Sequence, residues 1–195
     1  GTPLVSDPGY HLVRAAREAA VPVVPLPGAS AMITALSASG LASDRFVFEG
    51  FLPAKSAARC QRLQGLADDP RTLIFYESTH RIQASLADMA EVFGGQRQAV
   101  IARELSKRFE TIHGDNLVAL QAWLAADANQ CRGEFVVLVQ GAVAVADETV
   151  DAETRRLLTI LMQELPLKQA AALTARISGL KKNDLYRLGL ALAEK

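Results

Sequence analysis

The sequence predicts an α/β fold: a first α/β layer over residues 1–44, a second α/β domain with a mixed sheet over 45–142, and a linker and helical extension over 143–195. Three observations predict it. RTLIFYES (71–78) and GEFVVLVQG (133–141) are continuous apolar runs of the kind that form buried strands. Stretches with apolar residues at helical spacing separate the strands, and that alternation argues a parallel or mixed sheet with helices against it. Past Gly141 a small-residue, acidic stretch, AVAVADETVDAE, leads into helical sequence only.

Taken in order, Ser6-Asp7-Pro8-Gly9 reads as a helix start, with a polar cap and Pro near the first turn. Leu12, Val13, Ala16 and Ala20 then share one face. VPVVPLPG (21–28) is β-branched but holds three prolines, which places it as an edge or terminal strand closed by a Pro27-Gly28 turn. Ser30 is positioned to cap the next helix, which carries Met32, Ile33 and Leu36 and breaks at Gly40. The aromatic RFVFEGFLP (45–53) is extended, and a basic helix with Lys55, Arg59 and Arg62 follows. After the strand RTLIFYES, Thr79 is placed to cap a helix bearing Ile82, Leu86, Met89, Ala90 and Phe93, stopped by Gly94-Gly95. QAVIAREL is a further strand, 117–126 a helix, and GEFVVLVQG the last strand. In the extension, Leu157, Leu158, Leu161 and Leu165 line one side of a helix that Pro166 ends; a second helix, a Ser178-Gly179 turn and a third helix resemble a helix-turn-helix.

Composition narrows the function. Lys plus Arg equals Asp plus Glu at 21 each, so no global charge argues for nucleic acid. The extension from Asp151 on is nevertheless basic, with eight Lys/Arg against five Asp/Glu. Cys60 and Cys131 are far apart and have no histidine at metal-ligand spacing, so no metal is expected, and two free thiols suit a reducing cytoplasm. No apolar run approaches the roughly 20 residues that span a bilayer, and no signal peptide is present, so no membrane is expected.

Four stretches can carry chemistry. GTPLVSDPG (1–9) has two tight turns whose backbone groups a ligand could approach, although a plain connecting turn has the same composition. LPGASA (26–31) lies where a strand feeds a helix, the usual ligand position in open α/β sheets. FYESTHR (75–81) and RELSKRFE (103–110) each follow a strand; they deliver carboxylates and cations, and the first adds a histidine. If those strands are parallel, both clusters share one end of the sheet. No GxSxG elbow and no phosphate loop of the GxxxxGK[ST] type occurs.

Together GTPLVSDPGYHLVRAARE, VVPLPGASAMITALSASGL, FEGFLPAKS, LIFYESTHR, ARELSKRFETIHG and GEFVVLV, in this order and spacing, resemble the tetrapyrrole methylase (class III S-adenosylmethionine-dependent methyltransferase) superfamily, and within it the family acting on small-subunit ribosomal RNA. The resemblance covers essentially the whole chain. It implies two α/β domains with S-adenosylmethionine between them, a homodimer, and 2′-O-methylation of a cytidine ribose in 16S rRNA within the decoding region of the small subunit. Carried over position by position, it implies cofactor contacts at Gly1, Thr2, Pro3, Leu4, Ser30, Ala31, Tyr76 and Leu105.

A 2′-hydroxyl is a weak nucleophile, so a base is needed; Glu104 and Glu77 are the candidates, with His80 behind them. Arg81, Arg103 and Lys107 would bind RNA phosphate or orient the carboxylates, and Lys55, Arg59, Arg62, Lys181 and Lys182 would follow RNA backbone or form solvated helix faces. In the family the opening loop reads Ser-Asp-Ala-Gly-Thr-Pro and follows most of a first domain. The resemblance therefore implies an N-terminally truncated chain, residues 1–44 being a remnant, that binds the cofactor weakly or not at all and is inactive alone. A small-molecule methylase of the tetrapyrrole type shares the cofactor loops, and a non-catalytic RNA- or protein-binding module would account for the basic tail; both remain alternatives.

Overall fold

The computed structural model describes residues 1–143 and 150–193, so most of the acidic linker, from 144 to 149, lies outside the described residues. The chain divides into two compact units, Gly1–Ala142 and Val143–Lys195.

The first unit is built on a five-stranded sheet in the order β1-β2-β5-β3-β4, with β1 Phe46–Phe51, β2 Thr72–Ser78, β3 Gln98–Arg103, β4 Thr111–Asn116 and β5 Glu134–Val139. β1 pairs parallel with β2, while β2–β5, β5–β3 and β3–β4 are antiparallel. The sheet is thus mixed, as expected. Because β5 runs against both β2 and β3, those two strands are parallel, and the carboxyl ends of β1, β2 and β3 emerge at one edge beside the start of β5.

Alternation along β2 shows how the layers form. Leu73 and Phe75 face a core shared with helices α3 (Ser56–Gln64), α4 (Ile82–Phe93) and α5 (Leu117–Ala126). Ile74 and Tyr76 face the other side, where α2 (Ala31–Ser39) supplies Met32, Ala35 and Leu36. The helical spacing expected for α4 is observed, with Ile82, Leu86, Met89 and Phe93 buried. Gly40 ends α2 in the left-handed conformation, at φ 70°.

Three local expectations need correction, and one strand is unforeseen. VPVVPLPG forms no strand: no other strand lies beside it among the described residues, its prolines remove donors, and Val24 and Leu26 are strongly exposed. Helix α1 (Tyr10–Glu18) is entered through Gly9 at φ 130° without a side-chain cap from Ser6 or Asp7. Neither Ser30 nor Thr79 caps its helix. Finally, TIHGDN forms β4, an edge strand with no counterpart in the sequence pattern; its glycine and Asx residues are poor strand formers, but alternate positions are half-buried.

The second unit is a three-helix cluster: α6 (Ala152–Glu164), α7 (Leu167–Ser178) and α8 (Lys182–Ala193). Asp151 caps α6 by accepting from the Thr154 amide at 2.6 Å. Val150, Leu158, Ala170, Ala171, Leu185 and Leu188 form the core, and Gly179 at φ 74° makes the turn between α7 and α8.

Candidate active site

The strand ends, the opening loop and the turn before α2 enclose a cleft of about 780 Å³. Gly1, Thr2, Ser30, Ala31, Tyr76 and Leu105 all line it, together with Glu77 and His80. Residues far apart in sequence therefore meet, because β2 and β3 are parallel and α2 lies over their common face. Pro3, Leu4 and Glu104 are not among the lining residues.

The opening loop is bound to the turn before α2 by close backbone approach. The Thr2 amide donates to the Ala29 carbonyl at 2.7 Å and the Thr2 hydroxyl to the Gly28 carbonyl at 3.0 Å. A Cβ on Gly1 would lie 2.6 Å from that Ala29 oxygen, so only glycine allows this approach. At the start of α2 the Met32 amide donates to the Tyr76 hydroxyl at 3.2 Å, which relieves Ser30 of the capping role. The Ser30 hydroxyl is consequently buried on the cleft wall without a hydrogen-bond partner. Burial pushes the Tyr76 phenol up from its ordinary value, with the Asp7 carboxylate adding to the shift, so the hydroxyl stays protonated and has a proton to donate.

Most polar groups of the opposite rim are engaged. The Thr79 hydroxyl donates to the Gly133 carbonyl at 2.9 Å and accepts from the Gly133 amide at 3.0 Å, joining the β2–α4 crossover to the entry of β5. Glu104 accepts from the Glu134 amide at 2.9 Å, and Lys107 bridges Glu104 at 2.9 Å and Glu134 at 2.8 Å. The hydrogen bond from Lys107, then that from the Glu134 amide, holds the Glu104 carboxyl below its usual range. Its backbone stands at φ 51°, and its side chain fills the space that a Cβ on Gly133 would need. Gly133, Thr79, Ser78 and Phe51 also line the cleft. Ser78 and Thr79 fall within FYESTHR, a stretch already singled out, whereas the sequence names neither Gly133 nor Phe51 as a site residue, although they lie in GEFVVLV and FEGFLP.

The expected charged residues fall into two groups. Glu77 is buried and accepts from Ser85 Oγ at 2.6 Å and from the Ser78 amide at 2.9 Å, with Arg81 Nε 3.4 Å away. Arg81 also donates to the Leu52 carbonyl. Arg103 is 9% exposed and donates to the carbonyls of Asn129 and Arg132 and to Thr111 Oγ1. Arg59, expected on an RNA face, is 3% exposed: it pairs with Asp88 at 2.6 Å and donates to the carbonyls of Pro53 and Ala54. Both guanidinium groups are buried, Arg103 with its Nε unpartnered, so neither presents itself to an RNA phosphate at the surface, contrary to the expectation. Arg62 is half-exposed but paired with Glu49 at 2.5 Å. Lys55, Lys107, Lys181 and Lys182 are exposed. His80 is exposed on the cleft lining, and no partner holds its ring among the described residues.

Cys60 and Cys131 are free thiols. The thiol of Cys60 and the carboxylates of Asp88 and Glu91 gather within 4.8 Å, but Asp88 is already neutralised by Arg59. No helix among the described residues is long and apolar enough to cross a membrane.

Residues 1–121 match the family model of Tetrapyrrole (Corrin/Porphyrin) Methylases, and residues 148–193 match that of the RsmI C-terminal HTH domain. Over 97% of this chain and 68% of the relative's length, the sequence is 60% identical to ribosomal RNA small subunit methyltransferase I of Pseudomonas aeruginosa. The chain belongs to the ribosomal RNA small subunit methyltransferase I family. The corresponding Haemophilus influenzae protein is 54% identical over the full chain and 69% of its own length.

Among solved structures, the tetrapyrrole methylase fold of this family is shared with the methyltransferase CobJ, at a TM-score of 0.53 and 24% identity over 73% of this chain and 62% of that one. It is also shared with the cobalt precorrin-4 methyltransferase CbiF, at a TM-score of 0.55 and 13% identity over 72% and 61%. The chain thus spans a little over three fifths of those structures, and the likeness concerns fold alone.

Proposed function

We propose that this chain carries the cofactor cleft of an S-adenosylmethionine-dependent methyltransferase that methylates the ribose 2′-hydroxyl of a cytidine in 16S rRNA, acting as a cytoplasmic homodimer. The observation that supports it most is the convergence of Gly1, Thr2, Ser30, Ala31, Tyr76 and Leu105 on one cleft, in a chain 60% identical to a ribosomal RNA small subunit methyltransferase I.

The residues present fit the cofactor. The buried Ser30 hydroxyl lacks a partner, as expected of a group that completes its bonding with a ligand. Gly1 and Gly28 let the opening loop and the turn before α2 approach closely, which brings Thr2 and Ser30 to the wall of one cleft. When bound, S-adenosylmethionine supplies an activated methyl group, which leaves the protein to align the acceptor oxygen and receive its proton.

For the proton, the geometry favours His80 over the two carboxylates. Glu77 is buried under Ser85 and Ser78, and Glu104 is held as an anion by Lys107 and lies off the lining. His80 alone of the three lies on the cleft with a ring free of partners among the described residues. Arg81 and Ser85 keep Glu77 in place and so fix the backbone from which His80 projects.

The exposed Lys181 and Lys182 at the start of α8 supply a basic face for RNA backbone. The apolar row of the opening segment, Val21, Val24 and Leu26, has little packing behind it, which supports the reading that this chain alone holds the cofactor weakly or not at all and is inactive.

Methyl transfer to small ribosomal subunits, set against porphyrinoid acceptors, tests the assignment: label in ribosomal RNA ribose supports it, and label only in a porphyrinoid overturns it. Substituting His80→Asn in the full-length protein is expected to lower kcat by about 10²–10⁴ with cofactor affinity kept. An unchanged kcat removes His80 as the base.

A further inference from the structure

The carboxyl end of β1 presents an aromatic ring to the cleft in a way that packing alone does not explain. Phe51 is 54% exposed although it lies beside the main core, and it lines the cleft. Its neighbours fix it closely. The β1–β2 register slips between Phe48 and Gly50, and Gly50 stands at φ 66°, a bulge that re-aims the residue following it. Beyond it, Leu52 is buried and its carbonyl accepts from the Arg81 guanidinium. The Phe51 ring itself meets Tyr76 edge-on, with centroids 5.8 Å apart and planes at 70°, and Tyr76 meets Phe48 in the same manner at 4.8 Å and 67°. The result is a three-ring ladder whose last member is held from both sides by its backbone and by one edge, and is open to solvent.

A half-exposed phenylalanine with a fixed backbone forgoes burial without gaining freedom, the arrangement found where a planar ligand stacks on a prepared face. We propose that Phe51 is the stacking platform for a nucleobase in this cleft. The inference rests on the methyltransferase reading above and adds the group that recognises the nucleobase, which in that reading comes either from the adenosyl part of the cofactor or from the target nucleotide of the RNA. Stacking on an aromatic ring tolerates either, since every base has a π-face.

The test uses this chain and its Phe51→Ala, Phe51→Trp and Phe51→Tyr variants. Each is titrated calorimetrically with S-adenosylhomocysteine into the millimolar range and, separately, with a single-stranded RNA covering the decoding region. Phe51→Ala is expected to weaken binding of one of the two probes by about 5- to 150-fold, while Trp and Tyr retain it. Loss confined to S-adenosylhomocysteine assigns the platform to the cofactor's adenine; loss confined to RNA assigns it to the target base. Because Phe51 is half-exposed, the alanine variant should melt within a few degrees of the parent. Affinities for both probes equal to the parent's would overturn the proposal, whatever the melting temperature. If the parent chain binds neither probe in this range, the same variants are compared in the full-length protein, where affinities equal to its parent's overturn the proposal while leaving the methyltransferase reading standing.

Discussion

The two sides of the cleft differ in how completely their polar groups are engaged. On the strand-end side, Thr79, Gly133, Glu104, Lys107 and Glu134 bond to one another, and Glu77 is buried among donors. On the loop side, Ser30 has no partner, and the apolar Val24 and Leu26 are exposed. The first side is preorganised by its own sheet. The second is tied down by only a few bonds, chiefly those of Thr2 to Gly28 and Ala29 and of Met32 to Tyr76. A binding cleft with one rigid face and one loosely held face can admit a ligand and then gain order around it.

The contrast can be broken most forcefully in the core behind the rigid side. Phe75→Ala removes a fully buried ring and should cost about 3–5 kcal/mol in urea unfolding; a loss under about 1 kcal/mol would mean that this side is no better packed than the other. Arg59→Ala should cost about 3–5 kcal/mol, because it leaves Asp88 as an unpaired buried charge. The same variant should leave the salt dependence of RNA binding unaltered. Replacing Lys181 and Lys182, in contrast, should flatten that slope by about 0.7 for each phosphate no longer neutralised.

Thr79→Val probes the clasp itself. Losing the two-way bond with Gly133 should cost about 1–3 kcal/mol and speed amide exchange at Gly133 and Glu134, measurable by hydrogen–deuterium exchange. Acid provides a gentler probe. The Arg71 hydrogen bond lowers the Asp69 carboxyl to about 2, so the stability it contributes is fully present above the unfolded-state value near 4 and is lost as the pH falls towards 2. An Asp69→Asn variant should therefore show a smaller loss of stability than the parent between about pH 4 and 2. The smallest effect is expected on the loop side: Leu26→Ser removes an exposed side chain and should change the unfolding free energy by under about 0.5 kcal/mol.

Much of this was legible in the sequence, and the exceptions share a cause. Strand runs and helical spacing are local, so β2, β5, α4 and the three terminal helices were readable from residue type alone. VPVVPLPG also looked like a strand locally, but a strand exists only with a neighbour, and its prolines deny it the donors to pair. TIHGDN carries no strand pattern of its own, yet β3 offers it an open edge and pairing overrides weak propensity. The candidate site shows the same division. Ser30, Tyr76 and His80 were found as polar or aromatic residues at the ends of elements. Whether each is free or engaged depends on partners dozens of positions away, as with Met32 and Tyr76 or Thr79 and Gly133.

By itself the sequence determined the fold class, the helical extension and the family, because these depend on residue types whose order is read along the chain. Only the tertiary structure decided which charges are structural and which groups face the cleft. Arg59 and Arg103 are as basic as any surface arginine, and only the carbonyls and carboxylate brought around them turn them inward. Phe51 is as apolar as Phe75, and only a bulge at Gly50 leaves it standing in the open. The physical reason is that burial and hydrogen-bond satisfaction are properties of the packed neighbourhood, which no local stretch of sequence contains.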